Sequence, residues 1–302
     1  MAKSFGPPQD DMKISVAYRP TVHNRGRRRA LSRLQRNRAA LAGMVVILVL
    51  VVAAIFAPFL APYNPYTVTL ETRLQPPGAA HLLGTDELGR DILSRLLYGA
   101  RVSLWVGIVT VVLAGLIGVA GGLVAGYLGG YWDAVIMRLV DVFLAFPVIV
   151  LAIAIVAVRG PGLTNVLIAL ALVYWTTYAR VARSVVLILR EEEYTWAART
   201  LGASAPRIMV RHLLPNAIAP LVVLASLGMG NAIVAEAALS FLGLGIQPPE
   251  ASWGSMLNVG IGFLRDASFL SITPGLAIFV TVLGFNLLGD GLRDALDPRL
   301  RT

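Results

Sequence analysis

Residues able to carry chemistry are few in this 302-residue chain, and their spacing does not suit catalysis. The three histidines, His23, His81 and His212, are scattered and share no metal-ligand spacing. Cysteine is absent, which removes disulfides, thiolate metal sites and cysteine nucleophiles. The two lysines, Lys3 and Lys13, both lie near the N-terminus, and no G-x-x-x-x-G-K-[ST] segment is available to cradle a nucleotide. Neither a G-x-S-x-G nor an H-E-x-x-H motif occurs. Catalysis is therefore not expected here, and no cofactor or metal is expected on this chain. Energy input falls to an ion gradient or to a partner.

Ionisable residues set in apolar sequence are the remaining candidates. Asp141 lies in "MRLVDVFLAFP", three residues after Arg138, so one helix face can hold both as a local ion pair. A place in a gate or path is the other reading of Asp141. Glu236, in "NAIVAEAALSFLG", has no charged neighbour within a turn. At that depth it is expected to face either a polar cavity or another helix. Asn231, at the head of the same stretch, and Trp253, beside Gly254, complete the candidate path or gate residues. Trp253 fits a cavity plug or an anchor at the membrane surface, the anchor being preferred.

Those residues need membrane-spanning elements to hold them. Apolar residues make up 57% of the chain and charged ones only 14%, which points to one integral membrane domain and not two soluble ones. Six hydrophobic segments fall near 39–60, 102–126, 134–158, 163–187, 217–240 and 270–289. The fold class expected is all-α, with six transmembrane helices and both termini cytoplasmic. The domain division is a basic tail over 1–38, a six-helix transmembrane domain over 39–292 and a short tail over 293–302. Residues 61–101 and 241–269 form outer loops, and 188–216 a cytoplasmic loop.

Charge supports that orientation. Residues 1–38 hold ten Lys or Arg against two Asp, most densely in "RGRRRALSRLQRNR", and such a cluster beside a span stays cytoplasmic. Location beside the span argues against nucleic acid as its partner. Residues 180–215 carry six Arg against three Glu, whereas 61–100 carry three Arg against four acids. Pro147 is expected to kink the third span. Gly118, Gly122, Gly126 and Gly130 recur every four residues, so they stack on one helix face that admits close approach of another helix, from this chain or from a partner. In "HLLGTDELGRDILSRLLYGAR", residues 81–101, Leu88, Ile92, Leu93, Leu96 and Leu97 form an apolar face against Asp86, Arg90 and Arg95, which predicts an amphipathic helix.

The stretch "AARTLGASAPRIMVRHLLPNA", residues 197–217, reads as two short helices around a break. Helical turns from about residue 191 end at Gly202. Ser204 caps a second helix that begins with Ala205 and Pro206, includes Arg207, and stops before Pro215. Small side chains flanked by arginines suit docking into a protein groove, while packing beneath the chain's own bundle is the plainer alternative.

This stretch resembles the "EAA" loop of ABC-importer permeases through Ala197, Ala198, Gly202, Leu213 and Pro215, although Trp196 stands where the motif's glutamate usually stands. "GTDELGRDILSRLLYGARVSL", "RLVDVFLAFP", "AEAALSFLGLGIQPPEASWG" and "LGDGLRDALDPRLR" are similar to the second, C-type permease of dipeptide, oligopeptide and nickel importers. The resemblance implies a type I ABC importer permease in the cell membrane of a bacterium or archaeon. It implies as partners a homologous permease subunit, two cytoplasmic ABC ATPase subunits carrying ATP and Mg, and an extracytoplasmic solute-binding protein. It also implies that the helix through residues 197–214 seats in an ATPase groove and couples its closure to the spans.

Overall fold

A computed structural model describes Leu34 and residues 37–296. The basic cluster before Leu34 and the last six residues lie outside the described part. The described residues form helices and loops, with one isolated bridge between Thr85 and Asp91. Helix α1 (Arg38–Ile55) begins at Asn37, whose side chain accepts from the amides of Ala39 and Ala40, satisfying two donors that the first turn leaves open. A one-turn helix, α2 (Ala57–Leu60), follows.

Helix α3 (Ile92–Leu128) is 37 residues long and starts ten residues earlier than the span foreseen at 102–126. At about 1.5 Å per residue it is near 55 Å long, well beyond a bilayer's hydrocarbon core, and its first turns join residues 61–91 in a cap, Ser94 and Arg95 bonding Tyr63 and Pro65. Asp91 sets the start, its carboxylate accepting from the amide of Ser94. Residues 81–91 are consequently loop, and the amphipathic helix expected over 81–101 exists only from Ile92.

The third foreseen span is broken. Helices α4 (Gly130–Leu144) and α5 (Val148–Arg159) meet at 89° around Pro147. Proline, without an N–H, produces a full corner here and not the kink expected. Helix α6 (Leu163–Leu189) returns against α3. The two pack along the glycine face: a Cβ added at Gly122 would lie 2.5 Å from the Ala179 carbonyl oxygen, and one at Gly126 2.8 Å from Val186 Cγ1. Gly118 meets the backbone at Trp175 and Ala179, and Tyr178 Cβ, in the same way. Gly130 does not share this face. It starts α4 with φ +52°, and a Cβ there would meet nothing within 4 Å. The continuous helix assumed for the four-residue period ends at Leu128, which takes Gly130 off the stripe.

Helices α7 (Glu193–Thr200) and α8 (Ala205–Ile208) form the loop between the fourth and fifth foreseen spans. A π turn, Met209–Leu213, then runs straight into α9 (Leu214–Phe241). The second loop helix thus does not stop before Pro215. Pro215 lies in the first turn of α9, and the wider turn ahead of it absorbs the missing N–H. The 241–269 loop contains an unforeseen helix, α10 (Trp253–Ile261), closed by a capping box between Ser252 and Ser255. Helix α11 (Phe269–Leu296) completes the described chain and continues past residue 292, so the short tail expected from 293 begins as helix. Among the described residues, five helices are long and apolar enough to cross a membrane, or six if the bent α4–α5 pair counts as one.

Candidate coupling surface and membrane path

Helix α7 ends at Gly202, whose φ of +77° reverses the chain, a geometry that a Cβ makes strained. Ser204 occupies the cap position of α8, although its side chain makes no capping hydrogen bond. Within the loop, residues sort by face. Ala198, Ile208 and Leu213 point upward and pack with Leu123 and Val186 of the bundle. Thr195 is also buried, and its hydroxyl donates to the Leu189 carbonyl at 2.8 Å. Together these tie the loop to the ends of α3 and α6.

The opposite face is open. Ala197, Gly202, Ser204, Arg207 and Pro215 are exposed, as are Trp196, Val210 and Leu201, the last at 87%. The Arg199 guanidinium lies over the Trp196 ring at 4.9 Å and the Tyr127 ring at 5.5 Å. Of the residues matched to the permease loop, Ala198 and Leu213 hold it to the bundle, and Ala197, Gly202 and Pro215 face outward. Both readings of the stretch therefore have residues: one side packs beneath the bundle, and the other is left for a partner.

The candidate path residues do not converge. Asp141 does not pair with Arg138 as its spacing suggested. It accepts from Arg180 Nη2 of α6 at 2.8 Å, with both side chains more than half exposed. A cation on a facing helix offers an approach that the same helix's surface does not. One turn further along, Arg183 Nε and Nη2 donate to Asp133 Oδ1 and Oδ2 at 2.5 and 2.6 Å, a two-bonded pair between the same helices. Glu236 is completely buried. Ser240 Oγ donates to its Oε1 at 2.7 Å and Ser103 Oγ to its Oε2 at 3.4 Å, so it joins α9 to α3. Of its two readings, the contact between helices describes its surroundings. Asn231 is exposed, and its carbonyl accepts from the Tyr174 hydroxyl at 3.3 Å. Trp253 is buried to 1% exposure, over Gly99, with Nε1 donating to the Leu96 carbonyl at 3.0 Å. The preferred surface-anchor reading is thereby corrected: the ring fills the outer core between α10 and α3, where its N–H finds a partner.

Sequence spacing also missed a buried charge cluster in the cap formed by residues 61–91. Asp86, Arg90 and Arg95, taken as the polar face of a helix, are all under 10% exposed. Arg90 Nε lies 2.7 Å from Asp86 Oδ2 and Arg90 Nη2 2.8 Å from Glu87 Oε1, while Arg95 Nε lies 3.3 Å from Asp86 Oδ2. Asp86 Oδ1 also accepts from the amides of Leu88 and Arg90, bending residues 86–90 into a turn. The i, i+4 spacing of Asp86 and Arg90 was visible, but a turn brings them together here instead of a helix.

Comparison with known proteins places this architecture. Residues 118–302 match the model of the binding-protein-dependent transport system inner membrane component family, and residues 27–77 match the N-terminal transmembrane domain of oligopeptide transport permease C. A dipeptide transport system permease of Alkalihalophilus pseudofirmus is 47% identical over 91% of this chain and 90% of its own. A di/tripeptide transport system permease of Pseudomonas aeruginosa is 46% identical over 88% and 89%. Among solved structures, the inward-facing MetNI methionine ABC transporter has a chain with TM-score 0.55 and 19% identity, covering 67% of this chain and 96% of that one, which is a likeness of fold. A multi-pass helical chain with a loop held beneath its bundle and matched along its length to these permeases belongs to the binding-protein-dependent transport system inner membrane component family, as a permease subunit of an ABC importer.

Proposed function

We propose that this chain forms half of the translocation pathway of an ATP-driven importer of di- or oligopeptides. It works beside a homologous permease, two cytoplasmic ATPases that bind ATP and Mg, and an extracytoplasmic solute-binding protein. The peptide class follows the names of its relatives. Both termini and residues 188–216 face the cytoplasm, an orientation supported by the arginine excess of that loop.

The observation that carries the coupling role is the two-sided loop. Ala198, Ile208 and Leu213 lock it to α3 and α6, while Ala197, Leu201, Gly202 and Val210 leave an exposed face of small and apolar side chains. A segment clamped on one side and open on the other transmits the displacement of whatever grips it. Closure of the ATPases moves α7 and α8, the π turn passes the movement directly into α9, and the bundle tilts from inward-open to outward-open.

The assembled importer in proteoliposomes tests this reading. ATP inside the vesicles and loaded binding protein outside are expected to drive accumulation of labelled dialanine into the binding-protein-free lumen. Gradient-driven uptake by this chain alone, with no ATPase present, would replace the reading with a secondary transporter.

A further inference from the structure

Two ion pairs join α4 to α6, and they differ in kind. Asp133 and Arg183 share two hydrogen bonds and are 23% and 32% exposed, so each group's main capacity is filled by the other. Asp141 and Arg180 share one hydrogen bond and are 60% and 57% exposed. Among the described residues, Asp141 Oδ2 and the Nε and Nη1 groups of Arg180 have no further partner. The open pair keeps half of a carboxylate and most of a guanidinium fork available while remaining intact.

Its position makes that openness informative. Arg180 sits nine residues before the end of α6, roughly 14 Å along the helix, within the depth of the apolar layer. Charged groups at such depth face a bundle interior or a water-filled space, because lipid solvates them poorly. Within this chain the pair is not interior. The α6 surface around it is also polar: Thr177 and Ser184, three residues before and four after Arg180, share its face and are exposed. Tyr174 continues the row toward Asn231 of α9. Exposed faces of α1 and α3, by contrast, carry Val45, Leu48, Leu116 and Ile117.

We infer that this α6 face lines the aqueous path and that the Asp141–Arg180 pair is a clamp for zwitterionic peptides. Arg180 takes the α-carboxylate on its open N–H groups, and Asp141 takes the α-ammonium on Oδ2. One cation and one anion side by side match the two terminal charges of an unmodified dipeptide, which two residues hold within about 7 Å of each other, so the clamp accepts many dipeptide sequences whatever their side chains. The inference rests on the peptide-importer reading and extends it to this chain's own part in selecting cargo.

The chain's lack of cysteine allows a direct test in the complete importer. Thr177→Cys and Ser184→Cys are labelled from the cytoplasmic side, without nucleotide, by a membrane-impermeant cationic methanethiosulfonate. Modification of this chain is read by mass spectrometry. Reaction at least tenfold faster than at Val45→Cys and Leu116→Cys, slowed by millimolar dialanine, is expected. Equal rates at all four positions would overturn the aqueous face. In parallel, Arg180→Gln is expected to lower dialanine uptake about tenfold, the loss of one charge-assisted contact, while binding-protein-stimulated ATP hydrolysis and thermal stability hold. Arg180→Lys should recover much of the uptake. Wild-type uptake in Arg180→Gln would overturn the clamp. Failure of the peptide-importer reading looks different: the unmutated assembly shows no ATP-driven dialanine uptake, and labelling at 177 and 184 still decides whether the face is wet.

Discussion

The two ends of this molecule solve the problem of polar residues next to a membrane in opposite ways. The cap formed by residues 61–91 and α10 folds inward on itself. Asp86, Arg90 and Arg95 are buried against one another, Asp91 caps α3, and Trp253 is sealed with its N–H bonded to the Leu96 carbonyl. The 188–216 loop instead leaves Ala197, Leu201, Gly202, Arg207 and Val210 uncovered. In the cap, Asp86 pairs with both Arg90 and Arg95 within this chain. The loop is secured on one side only.

Substitutions at the two ends should therefore separate stability from transport. The largest effect is expected at Gly202→Trp. A Cβ there meets nothing within 4 Å in this chain, so the bulk lands on the uncovered face. ATP-driven uptake in proteoliposomes should fall to background while membrane insertion and thermal stability persist. Gly202→Ala, which carries the same backbone strain of about 1 kcal/mol without the bulk, should retain most uptake. Normal uptake by Gly202→Trp would remove the loop from the coupling path. In the cap the order reverses. Asp86→Ala removes the carboxylate that Arg95 pairs with and one of the two that hold Arg90, and should cost about 3–5 kcal/mol in thermal unfolding of detergent-solubilised protein. A cost below about 1 kcal/mol would mean that the cluster is not the cap's keystone.

The smallest effect concerns pH. Burial, and then the neighbouring Asp86 carboxylate, push the Glu87 carboxyl above the usual glutamate range. A folded pKa above the unfolded one gives a stabilising contribution that is whole below the unfolded value, about 4.3, and lost as pH rises through the raised value. The thermal midpoint should thus decline slightly as pH climbs out of the acidic range, and Glu87→Gln should flatten that decline. An unchanged slope in Glu87→Gln would assign the pH dependence to another group.

Much of this architecture could be read in advance, and the failures have a common form. The spans were visible because hydropathy is summed along contiguous sequence, and the loop's break at Gly202 because positive φ favours one residue type. Gly118, Gly122 and Gly126 were correctly grouped because i+4 spacing is a property of one helix. Gly130 was misplaced where that helix ended. The helix expected over 81–101 failed because the same i+4 spacing of Asp86 and Arg90 also fits a turn. Arg138 was assigned to Asp141 by spacing, whereas Arg180, 39 residues away, makes the contact.

The sequence by itself determined a multi-pass membrane chain with a basic loop between apolar spans, because those are sums and patterns over neighbouring residues. Only the tertiary structure decided which charges are sealed and which remain open. The Asp133–Arg183 pair closes on two bonds and the Asp141–Arg180 pair on one, and that difference depends on the crossing of α4 and α6. How two helices cross is set by packing across the whole bundle, to which no short stretch of residues is sensitive.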